Sequence, residues 1–170
     1  SISLVVSGTA LTVTDNGAVS TSTTSSVTSI NITTGAGNDS VNAGNVLVPA
    51  TIVGGAGNDS ITGGKGDDIL LGNDGNDTIY GGDGDDIIQG NAGSDQISGG
   101  NGLNTADYSD KVQNLTITLD GIANDGERAN NGTYGANGEQ DNVANDMTII
   151  VGGTGSDDIE ASSYPSGSNG

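Results

Sequence analysis

From residue 54 to residue 107, one aliphatic or small apolar position returns every ninth residue: Ile61, Leu70, Ile79, Ile88, Ile97 and Ala106. Its neighbours are mostly polar, as in Ser60-Ile61-Thr62 and Gln96-Ile97-Ser98, so each triplet alternates out, in, out as a strand does. Between triplets lie six residues rich in glycine, aspartate and asparagine, which are turn formers. The units read GGAGNDSIT, GGKGDDILL, GNDGNDTIY, GGDGDDIIQ, GNAGSDQIS and GGNGLNTAD. Glycine leads each unit and returns at its fourth position, and an acid or amide fills the sixth. The frame recurs before the array in TGAGNDSVN, from Thr34 to Asn42, and after it in GGTGSDDIE, from Gly152 to Glu160. Nearer the N-terminus, LTVT and AVST alternate on either side of Asp15-Asn16-Gly17, which predicts a hairpin that caps the open end of the array.

These nonapeptides resemble the GGxGxDxUx unit of the RTX, or hemolysin-type, calcium-binding repeat. The resemblance implies an all-β fold, a parallel β-roll or β-helix solenoid in which two units make one coil and turns on one side stack 18 residues apart with calcium between them. It places Asp59, Asp77 and Asp95 on one side and Asp68, Asp86 and Asn104 on the other. Asp39 joins the first side through a two-residue insertion in AGNVLVPATIV, and Asp157 joins it near Asp110. The turn glycines expected to offer carbonyl oxygens are Gly35, Gly37, Gly55, Gly57, Gly64, Gly66, Gly75, Gly82, Gly84 and Gly93. Asn104 brings a neutral amide oxygen where its neighbours bring a carboxylate, so the Asp86 and Asn104 site is expected to be the weakest. Position five, held by Asn58, Asp67, Asn76 and Asp85, is expected to contribute its carbonyl and to tolerate positive φ rather than to ligate by its side chain.

The expected layout is an N-terminal strand cap over 1–33, the roll over 34–107, and an irregular coil over 108–160 with a long insertion at 120–146 and a final repeat at 152–160. A polar tail over 161–170 follows, and the whole is read as one cooperative unit. Strand Leu115 to Leu119 is expected to restore the roll on its first side, and strand Met147 to Val151 on its second. Within the insertion, Asp120, Asn124, Asp125, Glu139, Asp141 and Asn142 gather enough oxygen for a further calcium site.

Composition narrows the chemistry. The 170 residues hold 31% hydrophobic residues, 2% aromatics and 31 glycines, too little apolar material for an ordinary layered core. Twenty-two acids against three bases give a net charge of −19, which repels nucleic acid and anionic membranes and attracts cations. Without cysteine or histidine, thiolate and imidazole metal sites are excluded. Oxygen ligands in flexible turns favour calcium over the more demanding magnesium. No twelve-residue loop carries the central glycine and terminal glutamate of an EF-hand. No apolar run approaches the roughly 18 residues of a membrane span, so membrane insertion is not expected.

The same composition argues against an enzyme, because Lys65, Lys111 and Arg128 are the sole bases and no nucleophile or proton shuttle can be assembled from them. Ice binding would need a row of identical outward residues, which Ala56, Asp74 and Ala92 or Lys65, Asp83 and Asn101 do not form. The chain opens at Ser1 and closes on SSYPSGSNG, and is read as a segment of a longer protein. The resemblance implies a non-enzymatic bacterial module exported unfolded by a type I route, secreted or held at the cell surface. It would fold on several extracellular calcium ions and stiffen, space or cap neighbouring domains. The alternative reading is a calcium-dependent polysaccharide-binding adhesin, with Tyr80, Tyr108, Tyr134 and Tyr164 as candidate stacking residues.

Overall fold

The computed structural model describes residues 2–7, 10–15, 18–23, 27–119, 122–123, 125–128 and 140–160. These form strands β1 (Ile2–Ser7), β2 (Ala10–Asp15), β3 (Ala18–Thr23), β4 (Ile30–Ala36), β5 (Ser40–Asn42), β6 (Ala50–Ala56), β7 (Ser60–Thr62), β8 (Ile69–Asp74) and β9 (Thr78–Asp83). They continue as β10 (Ile87–Ala92), β11 (Gln96–Asn101), β12 (Asn104–Asp107), β13 (Asn114–Thr118), β14 (Gly126–Arg128), β15 (Asn142–Val143), β16 (Met147–Val151) and β17 (Asp158–Glu160). Among the described residues there is no helix.

Successive units of the array go to alternate sheets, because each six-residue turn reverses the chain while each triplet is too short to do anything but extend. One sheet runs β15-β11-β9-β7-β5-β1-β2-β3 and the other β16-β12-β10-β8-β6-β4. Within the array the strands are parallel with an 18-residue register, as in Ile61↔Ile79↔Ile97 and Leu70↔Ile88↔Ala106. Between β5 and β7 the register is 20, with Val41 opposite Ile61, so the two-residue insertion is absorbed in the stretch before β6. The fold is the expected β-roll.

The eighth-position residues fill the interior as two facing columns. Ile61, Leu70, Ile79, Ile88, Ile97 and Ala106 are all buried, with Val41 and Ile52 below them and Val143 above. A core of one large apolar side chain per nine residues is thin, and it leaves the turns to supply the rest of the cohesion. At the N-terminal end, β1 continues the first sheet in parallel with β5, and β2 and β3 extend it antiparallel. Asp15 pairs with Ala18, as a two-residue hairpin requires, while Asn16 and Gly17 lie outside the described residues.

The C-terminal path differs from expectation. β13 does not return to the first sheet. It pairs with β14 and β17 in a separate three-stranded sheet, and buries Leu115 and Ile117 there. The place beside β11 is taken by β15, with Gln96 opposite Asn142 and Ile97 opposite Val143. The detour therefore leaves from the first side after β12 and rejoins at Asp141. The reason lies at the turn: Leu115 stands where a roll turn has its aspartate, so the segment cannot make the carboxylate bond that seats the next coil. Asp141 can. β16 then pairs with β12, as expected for the strand after the detour.

Candidate metal centre

Each sixth-position carboxylate locks two coils together. Its Oδ1 accepts the backbone N–H of the sixth residue one coil earlier: Asp39 to Asp59 at 2.7 Å, Asp59 to Asp77 at 2.8 Å and Asp77 to Asp95 at 2.8 Å on the first side. On the second side, Ala50 donates to Asp68 at 2.8 Å, Asp68 to Asp86 at 2.9 Å and Asp86 to Asn104 at 3.0 Å. The first-side ladder ends on a residue 46 positions away, where Asp95 donates to Asp141 Oδ1 at 2.9 Å.

A second ladder runs the other way. Fifth-position oxygens accept from the coil that follows: Asn58 from Asn76 at 2.9 Å, Asn76 from Ser94 at 2.9 Å, Asp67 from Asp85 at 2.9 Å and Asp85 from Leu103 at 2.8 Å. These side chains are engaged with backbone, and none of the four residues takes positive φ. The non-glycine residues that do so are Asn73 at 76° and Asn91 at 66°, both standing at position two where other units carry glycine. Asparagine tolerates that region better than most residues, which is why the two GN units still turn.

The remaining carboxylate oxygen is the informative one. Asp59, Asp77 and Asp86 are buried, and their Oδ2 atoms are buried without a hydrogen-bond donor. Each Oδ2 sits over the leading glycine of its own turn. A methyl group on Gly72 would stand 2.2 Å from Asp77 Oδ2 and 2.8 Å from the carbonyl oxygen of Gly90, one coil on. One on Gly81 would stand 2.3 Å from Asp86 Oδ2 and 2.4 Å from the Gly99 carbonyl oxygen. Buried anionic oxygens without donors, close to backbone carbonyls, are an arrangement that a hard cation satisfies at neutral pH. Among the described residues no three carboxylates converge, so carbonyls must complete any ligand set.

The sites are not equivalent. Asp68 Oδ2 accepts the Gly64 N–H, and neither Gly64 nor Gly66 is at positive φ, because this turn packs on the irregular Ala43–Pro49 stretch instead of another nonapeptide. At Asn104, Oδ1 is used by Asp86, which leaves the amide nitrogen beside Gly99 in the place where the other turns hold Oδ2. A donor there opposes a cation. Beyond the array, turn 152–157 stacks on turn 110–115: Leu115 donates to Asp157 Oδ1 at 3.1 Å, and Ser156 to Asn114 Oδ1 at 3.0 Å. It copies both ladders, with one carboxylate instead of two, and Asp157 faces Leu115, not Asp110.

Of the residues expected to form a site in the insertion, Asp120, Asn124 and Glu139 lie outside the described residues. Asp125 and Asp141 are brought together and fully buried, joined by an antiparallel bridge. Asp125 accepts from Thr118 and Val143, and Asp141 from Asp95 and from the Tyr108 hydroxyl at 2.9 Å. All four carboxylate oxygens serve the backbone or Tyr108. Asp146 was not anticipated. It accepts from Ser98 Oγ and from the N–H groups of Gly99 and Gly100, closing the second turn stack.

Burial raises the carboxyls of Asp68, Asp77 and Asp86, the last to about 6, against partial relief from their backbone bonds. Burial also works on Asp146, but its bonds from Ser98, Gly100 and Gly99 outweigh it and hold it below the usual carboxylate range. A raised carboxyl favours the fold when protonated, so its contribution is full below the unfolded value near 4 and fades as pH climbs through about 6. Asp146 acts in the opposite sense and only below about pH 4. In chelator, the β signal in circular dichroism is therefore expected to grow as pH falls from 7.5 to 4.5. A flat or falling signal over that range would contradict the assignment of these oxygens as unsatisfied anions at neutral pH.

A family model described as the RTX calcium-binding nonapeptide repeat (4 copies) matches residues 31–45, 51–79 and 71–106. No curated protein and no solved structure matches the chain.

Proposed function

We propose, for a chain whose residues 31–45 and 51–106 match the RTX calcium-binding nonapeptide repeat, that the roll is a non-catalytic structural module ordered by calcium outside the cell. The observation that carries this reading is the set of buried Oδ2 atoms of Asp59, Asp77 and Asp86, each without a donor and each near a backbone carbonyl of the following coil. Asp39, Asp59, Asp77 and Asp95 would hold ions along the first side, and Asp68 and Asp86 along the second, with turn carbonyls completing each set. Calcium supplies the positive charge that lets the acidic turns lie about 4.8 Å apart.

Metal binding and folding then become one event, since the ligands of each site come from two coils and the site does not exist in the unfolded chain. A chain of net charge −19 would stay extended where calcium is scarce, suiting export before folding, and would close where calcium is plentiful. Once closed, a solenoid of stacked coils is a stiff spacer for whatever adjoins it.

Far-UV circular dichroism through a calcium titration, with magnesium in parallel, tests this. A cooperative gain of β signal with calcium and none with magnesium at equal concentration is expected. A spectrum already β-rich in chelator at pH 7.5 and indifferent to calcium would overturn coupled folding.

A further inference from the structure

We infer that the outer face of the first sheet, around Tyr80, is a binding site for a neutral saccharide. Tyr80 lies in an outward row that the parallel register defines as Asn42, Thr62, Tyr80 and Ser98. It is the bulky member of a row of small polar side chains, and a hollow opens on each side of it. One, of about 130 Å³, is bounded by Thr62, Lys65 and Asp83. The other, of about 300 Å³, is bounded by Thr78, Gln96, Ser98 and Asn142. Tyr80 is shared by both.

The Tyr80 side chain reaches along the roll toward the next coil. Its hydroxyl comes within 3.1 Å of where a side chain on Gly100 would begin, and the residue is 44% exposed. Tyr108, by contrast, is buried. An exposed aromatic face offers a platform for the C–H face of a pyranose, and amides and hydroxyls on either side offer both donors and acceptors to ring hydroxyls. Gln96, Asn142, Thr62 and Thr78 supply that mixture, while the Ser98 hydroxyl donates to Asp146.

The outer face of the other sheet lacks this chemistry. Its outward row of Thr51, Ile69, Ile87, Thr105 and Ile149 holds hydroxyls but no aromatic ring on which a sugar could stack. Charge decides the class of sugar: at −19 the chain repels polyanions, and the single cation at the rim, Lys65, is matched by Asp83. A neutral polysaccharide crossing the strands, with sugar units seated on both sides of Tyr80, fits what remains. The site depends on the calcium-ordered roll of the preceding reading, because its residues come from separate coils.

Native affinity electrophoresis in millimolar calcium tests the inference, with gels containing galactomannan, hydroxyethylcellulose or dextran as neutral probes and polygalacturonate as the anionic one. At least one neutral polymer is expected to retard the chain. Tyr80→Ala should weaken that retention about tenfold or more, and Tyr80→Phe should keep it. Both variants should retain the calcium-induced circular dichroism signal. No retardation by any neutral polymer, or retardation that Tyr80→Ala leaves unchanged, overturns the site. A wild-type chain that shows no calcium-induced fold would instead overturn the roll reading, and the two failures are told apart by that spectrum. Should Tyr80→Ala fail to fold, Gln96→Ala, at an exposed strand position, carries the same test with a smaller loss.

Discussion

In excess chelator at neutral pH the chain is expected to expand from a radius of gyration of about 15–20 Å toward about 40 Å, the values of a compact and an unfolded chain of this length. Small-angle scattering with and without calcium reads the change directly. The physical case rests on what the coils lack. One large apolar side chain per nine residues makes a narrow interior, and three of the interior polar atoms are carboxylate oxygens without a donor. Each is buried at the junction of two coils, so its cost falls on the contact that must form for the solenoid to exist. A bound calcium reverses the sign of that contribution. At roughly 1,000 times its dissociation constant, one ion adds about 4 kcal/mol, so two or three sites match the 5–15 kcal/mol that stabilises a typical domain. A scattering curve that is the same in chelator and in calcium would mean that the ladders and the interior suffice alone.

Gly93→Ala is expected to be the most damaging single methyl group in the roll. Gly93 has φ of 134°, which an L side chain rarely adopts, and the new Cβ would fall 1.7 Å from the carbonyl oxygen of Gly75. That oxygen belongs to backbone in the coil below, so no rotamer change relieves the overlap. The turn must deform, and with it the geometry around Asp95 and Asp77. A loss of about 3 kcal/mol or more is expected from strain and overpacking, lowering the melting temperature in saturating calcium by roughly 10 °C. Gly44→Ala is the matched control: its nearest neighbour is Asn42 Oδ1 at 3.3 Å and its φ is not positive, so its effect should stay within about 0.5 kcal/mol. Equal melting temperatures for the two variants would show that the turns are far more compliant than their packing implies.

Much of this architecture is legible in the chain because it is written at a fixed interval. The column from Ile61 to Ala106, the 18-residue register and the 20-residue step from Asp39 to Asp59 all follow from counting along a repeat. Legibility ends where the interval ends. Asp141 completes the first-side ladder from 46 residues away, without glycine at the turn positions of the repeat; Asn142-Val143 after it copies the array's outward-inward step, but Gly121-Ile122 after Asp120 does so equally well. β13 reads as a roll strand by alternation alone, yet Leu115 at the sixth position of its turn cannot seat it. The fifth-position ladder escaped notice for a different reason. An asparagine beside an aspartate in a turn reads as a backbone-shaping residue, and only the stacking of one turn on the next shows its oxygen meeting the N–H above it.

The two ladders point in opposite directions along the roll, and this fastens every junction from both sides. A sixth-position carboxylate reaches back to the coil that precedes it, while a fifth-position oxygen takes an N–H from the coil that follows. Whichever coil is in place first therefore offers its neighbour both a donor and an acceptor, as the facing teeth of a zip fastener do. On the first side Asp141 supplies the closing tooth from outside the array.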